Sequence, residues 1–369
     1  MKSKSFSRRQ FILNAAVGAG ALAFAKPLSA LASVFPPSKK LGIALVGLGG
    51  YATYQLAPAL LKTENCYLAG IVTGTPSKIP VWKEKYNIKD KNVYNYETFD
   101  QIAHNPDIDI VYVVLPVSMH KEYTIRAAKA GKHVICEKPM ALNAKECEEM
   151  IAACKAAGRM LSIGYRLHFE PHTMEVMRLG QQHVFGKVTS MDTANGFYYN
   201  GDPNAWRLKK AMSGGGGLMD MGIYAIQGAR YTIGQEPVSV KATQEKTRPQ
   251  LFKDVDETVF WELEFPGNIK VKGKSSYNNN WGYLKAQAER GWFQLEPAYG
   301  YGPILGKSSK GDINFPQINQ QAAQMDDFAL CVKLKKPTRV PGEEGLKDMR
   351  VVDAIYRSLD SGKTERING

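Results

Sequence analysis

A chain of 369 residues, 44% hydrophobic and 22% charged with 34 glycines and 19 prolines, is long enough for two cores and too apolar for disorder. That length excludes small disulfide scaffolds and single binding modules. The formal charge of +13 overstates the basic surface, because Lys2, Lys4, Arg8, Arg9 and Lys26 fall in the first 32 residues without an acid; elsewhere the cations are scattered among acids, and no nucleic-acid partner is expected.

In chain order, Ser7-Arg8-Arg9-Gln10-Phe11-Ile12-Leu13, a small apolar run over 15–25 and Ala30-Leu31-Ala32 form a charged head, an apolar stretch and a small-residue cleavage site. The run stops at Lys26-Pro27, short of the roughly 20 apolar residues of a membrane span. A signal cleaved near Ala32 is therefore expected rather than a stable anchor, followed by a short arm over 33–40. The paired arginines resemble a twin-arginine export signal, which passes folded proteins to the periplasm, with Asn14 where that pattern often carries lysine. Five cysteines, Cys66, Cys136, Cys147, Cys154 and Cys331, cannot all pair; thiols buried before export would remain free. They form no C-x-x-C or Cys/His cluster, and no metal is expected.

Residues 41–47 read as a short buried strand, followed by a glycine-rich turn and a helix over 54–61. In that turn Gly47 permits the tight bend, Gly49 the approach of a pyrophosphate, and Ala52 the contact of helix with strand. A second strand over 67–72 arrives at the spacing of a βαβ unit. Its end decides between the nicotinamide cofactors, because an acid there would hold a ribose 2′-hydroxyl and repel a 2′-phosphate. Thr73-Gly74-Thr75-Pro76-Ser77-Lys78 offers hydroxyls and a cation and no acid, which prefers NADP over NAD. A third strand over 108–115 ends in Leu115-Pro116, with His120 close to the cofactor, and a helix follows over 121–130. A fourth strand, His133-Val134-Ile135-Cys136, ends in Glu137-Lys138-Pro139. This alternation predicts a doubly wound parallel sheet, with ligands at the carboxyl ends of its strands, where Lys138 falls.

These residues, above all Ala130-Gly131-Lys132-His133 and Glu137-Lys138-Pro139, resemble the Gfo/Idh/MocA oxidoreductases, and within them the glucose-fructose oxidoreductase branch. The likeness continues through Ile163-Gly164-Tyr165-Arg166, Trp206-Arg207-Leu208, the stretch from Gly215 to Tyr224 and Pro341-Gly342-Glu343-Glu344-Gly345. It implies a Rossmann domain over 41–163 and an α/β domain over 164–369 with a large open, mostly antiparallel sheet that covers the nicotinamide and assists assembly of a homo-oligomer, dimer or tetramer. It also implies tightly held NADP and small sugar substrates. Two departures bear on this. The arm over 33–40 is shorter than that branch carries, and Val117 stands where its members have asparagine.

From the residues themselves, the second half shows period-two stretches over 257–265 and 269–277, as in an antiparallel or mixed sheet, with Trp261, Phe265 and Tyr277 read as core. Glycines 214–217 precede Asp220 and Tyr224, which stand four apart on one face if the segment is helical. The pair reads either as a cap and a core tyrosine or as two groups aimed into a cleft, with the glycines letting backbone approach a ligand. The resemblance implies the second, because many members carry histidine at Tyr224 and use it for proton transfer. Sugar oxidation needs a base for the hydroxyl proton, and a phenol serves only where a cation favours its phenolate. The expected catalytic set is Tyr224 as acid/base, Lys138 as its support and Asp220 to orient the sugar. Gly47, Gly49, Gly50, Tyr51, Thr73, Gly74, Thr75, Lys78, Leu115, Pro116, His120, Glu137, Lys138, Arg166, Trp206 and Arg207 are the expected cofactor-binding set. His168 and His172 have helical metal spacing, but Pro171 interrupts it. Outside the cytoplasm no pool regenerates a diffusible cofactor, so one aldose oxidised to its lactone and a second sugar reduced on the same NADP is the expected reaction. A dehydrogenase with exchangeable cofactor, a dinucleotide-dependent glycosidase and a non-catalytic sugar-binding protein are the competing readings.

Overall fold

Residues Leu41–Val46 (β1) are apolar throughout because both faces are covered: Ile43 and Leu45 enter one core, Ala44 and Val46 another. The computed structural model describes residues 39–367, so the expected signal and residues 33–38 of the arm lie outside the described residues. β1 is joined in one sheet by Cys66–Val72 (β2), Val93–Tyr94 (β3), Ile110–Val113 (β4), His133–Cys136 (β5) and Leu161–Ile163 (β6). All neighbours are parallel, in the order β3-β2-β1-β4-β5-β6. This is the expected doubly wound sheet, its order reversing beside β1, where such sheets leave a crevice at their carboxyl ends. The helix expected over 54–61 begins earlier, as a wide π-type turn over Ala52–Leu56 that runs into Ala57–Leu60. The strand expected over 108–115 is shorter, Ile110–Val113 (β4), with 108–109 and 114–115 outside the ladder.

The second sheet contains Val188–Gly196 (β7), Ser239–Glu245 (β8), Thr258–Phe265 (β9), Ile269–Ser276 (β10), Trp281–Ala288 (β11), Gly291–Leu295 (β12), Gly306–Ser308 (β13), Gly311–Ile313 (β14) and Glu365–Arg366 (β15). Its order is β14-β13-β12-β11-β7-β10-β9-β8-β15, antiparallel except where β7 runs parallel to β10. The large, mostly antiparallel sheet is thus as expected. β9 alternates in burial along its length, with Val259, Trp261, Leu263 and Phe265 inward. Helix Ile223–Ile233, buried at every residue, packs on β7, β10 and β11. Helix Gln320–Leu334 then returns to the first sheet, where Ala322, Met325, Phe328 and Ala329 join the core of Ile43 and Leu45. Asp326 fastens it by accepting the backbone amides of Glu64 and Asn65.

Among the described residues no helix is long and apolar enough to cross a membrane. Four of the five cysteines are buried, Cys331 is partly exposed, and all five are free thiols.

Candidate active site

The site grows from the ends of β1 and β5. After Val46 the chain turns at Gly47, whose φ of 96° and whose 2.5 Å approach of an added Cβ to the Val114 carbonyl oxygen leave room for glycine alone. At Gly49 an added Cβ would meet no atom within 4 Å, so the turn presents an open, exposed cradle. A phosphate-bearing group fits there, because nothing of the protein competes for the space. Ala52 is fully buried behind the turn. At the end of β2, Lys78 Nζ donates to the Leu48 carbonyl at 2.7 Å, which brings the cation back to the same turn. Thr73 is buried with its hydroxyl accepting the Thr75 amide, and Gly74 packs against the Tyr96 ring; Thr75 remains exposed.

After β4 and β5 the two strand-end turns are tied by His120, whose Nε2 faces the Leu115 carbonyl at 2.8 Å and Nδ1 the Pro139 carbonyl at 3.0 Å. The ring is buried, which lowers its pKa, and the neutral ring donates to one of these two carbonyls. His120 therefore holds Leu115-Pro116 beside Lys138-Pro139. Glu137 is buried as well; its Oε1 accepts the Tyr112 hydroxyl at 2.6 Å and its Oε2 the Lys138 amide at 3.2 Å. Gln324 donates to the same Tyr112 oxygen at 2.7 Å. Burial pushes the Glu137 carboxyl up, against the opposing pull of Tyr112 and Lys138. Gly164 is required opposite it, since an added Cβ would lie 2.5 Å from Glu137 Oε1.

The structure brings Lys138, Asp220 and Tyr224 together. Lys138 Nζ donates to the Asp220 carbonyl oxygen at 2.7 Å and lies 3.2 Å from Oδ1, while sitting 4.7 Å from the centroid of the Tyr224 ring. The ammonium is thus over the ring and bonded to Asp220 rather than to the tyrosine hydroxyl. Burial alone would lower the Lys138 pKa, but Tyr224, Asp220 and Glu137 push it up to about 12, so it is a cation at neutral pH. Burial would raise the Asp220 carboxyl; Lys138, Arg207 and the Tyr277 hydroxyl hold it below the ordinary carboxylate range. Asp220 sits in a wide turn, Leu218–Gly222, that runs directly into helix Ile223–Ile233, and Tyr224 opens that helix. The turn leaves main-chain oxygens to side chains: Asp220 serves Lys138, and Met221 accepts from Asn195 Nδ2 at 3.2 Å. Tyr224 is 7% exposed, and its hydroxyl is not among the buried polar atoms left without a partner.

The glycines at 214–217 do not face a ligand, contrary to the sequence reading. Their missing side chains admit other parts of the protein: an added Cβ would lie 1.7 Å from the Tyr356 hydroxyl at Gly215 and 1.9 Å from the Asp256 carbonyl oxygen at Gly216. Asp256 accepts the amides of Gly216 and Leu218 at 2.8 Å each and the Tyr356 hydroxyl at 2.7 Å, anchoring the turn that carries Asp220.

Arg166 is buried; its two terminal nitrogens donate to the protein, while Nε is left without a protein partner. Nη2 donates to the Tyr299 carbonyl at 2.6 Å, Nη1 to the Gly300 carbonyl at 2.9 Å and to Gln320. Its guanidinium lies 5.1 Å from the Tyr224 ring and 4.6 Å from the Tyr301 ring. Arg207 lies 3.6 Å from Asp220 Oδ2 and 5.3 Å from the Trp206 ring, so that pair flanks the other side of Asp220. Tyr51, next to the glycine turn, stacks on Tyr301 with centroids 6.1 Å apart.

Sequence reading missed Tyr277, Tyr301, Gln320 and Gln324. Tyr277 is in the core, as expected, yet its hydroxyl donates to Asp220 Oδ2 at 3.0 Å; an inward phenol needs such a partner, and that signal was available. Tyr301 and the two glutamines come from a loop and a distant helix that no local pattern ties to the site. His168 and His172 do not converge. His172 Nδ1 donates to Glu170 at 2.7 Å while its Nε2 accepts the Phe315 amide, and His168 packs edge-on against Tyr231. Among the described residues no three His, Cys, Asp or Glu side chains gather as a metal site.

Comparison with known proteins gives a family. The GFO_IDH_MocA profile, described as an oxidoreductase family with an NAD-binding Rossmann fold, matches residues 41–165, and the GFO/IDH/MocA C-terminal domain matches 173–295. The crystal structure of an aldose-aldose oxidoreductase from Caulobacter crescentus, complexed with glycerol, is 42% identical and superposes with a TM-score of 0.86, covering 89% of this chain and 100% of that one. A D-xylose 1-dehydrogenase [NADP(+)] of Haloarcula marismortui is 28% identical over 336 residues, 88% of this chain and 92% of the relative. The apo scyllo-inositol dehydrogenase of Lactobacillus casei, at 20% identity and a TM-score of 0.75 over 89% of this chain and 98% of that one, shares the fold.

Proposed function

The chain belongs to the Gfo/Idh/MocA oxidoreductases, and from that premise we propose that it is an NADP-dependent sugar oxidoreductase with a retained cofactor, oxidising an aldose to its lactone and reducing a second sugar in ping-pong fashion. The observation that carries the reading is the Lys138, Asp220 and Tyr224 cluster, set at the end of β5 beside the glycine turn. The likeness to an aldose-aldose oxidoreductase supports the paired-sugar reaction. Gly47, Gly49, Gly50 and Tyr51 would hold the dinucleotide phosphates, and Thr75 and Lys78 a 2′-phosphate. The cation at Lys78 and the absence of an acid from 73–78 support NADP over NAD.

When bound, the nicotinamide would accept or return the hydride at the sugar carbon. The chain's own work is to move the proton and hold the sugar. Tyr224 Oη takes the hydroxyl proton of the aldose and returns one to the second sugar. Lys138, charged throughout, stabilises the negative charge that develops beside the Tyr224 ring. Asp220, kept as a carboxylate by Lys138 and Arg207, accepts hydrogen bonds from sugar hydroxyls on the edge that Tyr277 leaves free. Arg166 and Glu137 set the walls around them.

Export through the twin-arginine route and a homo-oligomer complete the reading. Five free thiols, four of them buried, suit a protein that crosses the membrane already folded. The outer face of the second sheet, with Trp292 and Tyr283 among lysines and acids, is the surface on which two copies would meet. The test is to denature signal-cleaved protein from the periplasm and quantify the released nucleotide, then to supply two sugars without free nucleotide. Near-stoichiometric NADP(H) and coupled formation of lactone and reduced sugar are expected. Protein free of nucleotide that turns over only with added NADP would favour the second reading, an exchangeable-cofactor dehydrogenase, to which the likeness to D-xylose 1-dehydrogenase points.

A further inference from the structure

Tyr301 lies in the loop between β12 and β13, and half of its side chain is exposed although its ring has two partners. The buried Arg166 guanidinium is 4.6 Å from the ring centroid, and the Tyr51 ring stacks on it at 6.1 Å, with planes 29° from parallel. Tyr51 directly follows the Gly49-Gly50 cradle, so the stack joins the nucleotide turn of the first sheet to a loop of the second. Arg166 also lies 5.1 Å from the Tyr224 ring, which places this bridge beside the catalytic cluster.

The two halves of the bridge differ in freedom. The loop backbone is fastened on both flanks: Arg166 donates to the carbonyls of Tyr299 and Gly300, Gln320 Nε2 donates to Gly300 at 3.3 Å, and Gln317 exchanges two bonds with Ile304, at 3.1 and 2.9 Å. A segment pinned in this way does not swing as a body. A half-exposed ring on it turns about its own side-chain bonds, a fast motion that needs no backbone change. The stack can therefore part and re-form while the loop stays in place.

We propose, on the reading that a dinucleotide sits over Gly49, that the Tyr51 and Tyr301 rings form a latch that slows escape of the nucleotide, with Arg166 positioning its outer half. Stacking and the cation contact both act on the ring, so Tyr301→Ala removes both, whereas Tyr301→Phe keeps both. The half-exposed position leaves the fold intact in either variant.

The experiment loads each protein with NADPH, chases it with excess NADP, and follows loss of bound-NADPH fluorescence without any sugar present. Tyr301→Phe should release NADPH within about twofold of the parent rate, and Tyr301→Ala about tenfold faster or more. Tyr51→Leu, which breaks the stack from the other side, should accelerate release as Tyr301→Ala does. Equal rates in the parent and Tyr301→Ala would overturn the latch, as would a Tyr301→Ala effect confined to the KM of a sugar. The outcome for the retained cofactor is separate. A parent that loses NADPH within seconds sinks retention but leaves the latch standing if Tyr301→Ala is faster still; a parent that holds NADPH for hours together with an equally slow Tyr301→Ala does the reverse. Failure of all the proteins to bind NADPH would overturn both.

Discussion

Two glycine-to-alanine changes separate the cradle from the scaffold. At Gly49 the added methyl meets no protein atom within 4 Å, and the backbone there does not lie in the left-handed region, so the fold should lose no more than about 0.5 kcal/mol. The same methyl projects into the space where phosphates would approach, and NADPH affinity should fall tenfold or more. At Gly216 the methyl would lie 1.9 Å from the Asp256 carbonyl oxygen, a backbone atom that cannot rotate away. Relief requires the turn carrying Asp220 to move off the segment before β9, at a cost of about 1–3 kcal/mol or more. For a chain of this size each kcal/mol lowers Tm by roughly 1–2 °C. Thermal melts of nucleotide-stripped protein, followed by titration with NADPH, measure both effects. Gly49→Ala should melt with the parent and bind poorly; Gly216→Ala should melt several degrees lower. If Gly49→Ala melts as low as Gly216→Ala, or binds NADPH as the parent does, the cradle has been misassigned.

Tyr224→Phe should keep the fold and lose about 10²- to 10⁴-fold in turnover, measured on the sugar pair; unchanged turnover removes Tyr224 from proton transfer. Tyr277→Phe deletes the 3.0 Å bond to Asp220, and urea unfolding should show a loss of about 1 kcal/mol, with a fall in turnover smaller than that of Tyr224→Phe. Burial, with Arg230 and Arg339 nearby, lowers the His168 pKa to about 3, below the roughly 6.5 of an unfolded chain. The unfolded state then binds the extra proton, so stability falls as pH drops below about 6.5, by about 2 kcal/mol between pH 7 and 5 from this group. His168→Gln should flatten that slope in urea melts, and an unchanged slope would assign it to other groups. Burial raises all five thiols, Cys66 and Cys154 to about 12, but Cys331 is the one partly exposed, so a thiol reagent should label Cys331 alone in native protein and all five thiols after denaturation.

Much of the architecture was legible because its signals are local. Runs such as His133–Cys136 are apolar on both faces and bounded by turn residues, which marks a buried parallel strand, and Gly47 announces a left-handed bend at the end of another. Period-two alternation foretold β9 and β10 in the same way. Lys138 stood out for a related reason: a lysine between a strand end and a proline lies where a doubly wound sheet opens. The spacing of Asp220 and Tyr224 carried their common face but not what would meet it. Only the packed chain shows that Lys138 bonds to Asp220 rather than to the tyrosine hydroxyl, and that Gly215 and Gly216 make room for Tyr356 and Asp256. It alone brings Arg166, Tyr301 and Gln320 to the same wall. These contacts join segments from 40 to 154 residues apart in the chain, and their geometry comes from two cores closing on each other; no periodicity along the chain encodes the distance between atoms that meet only after that closure.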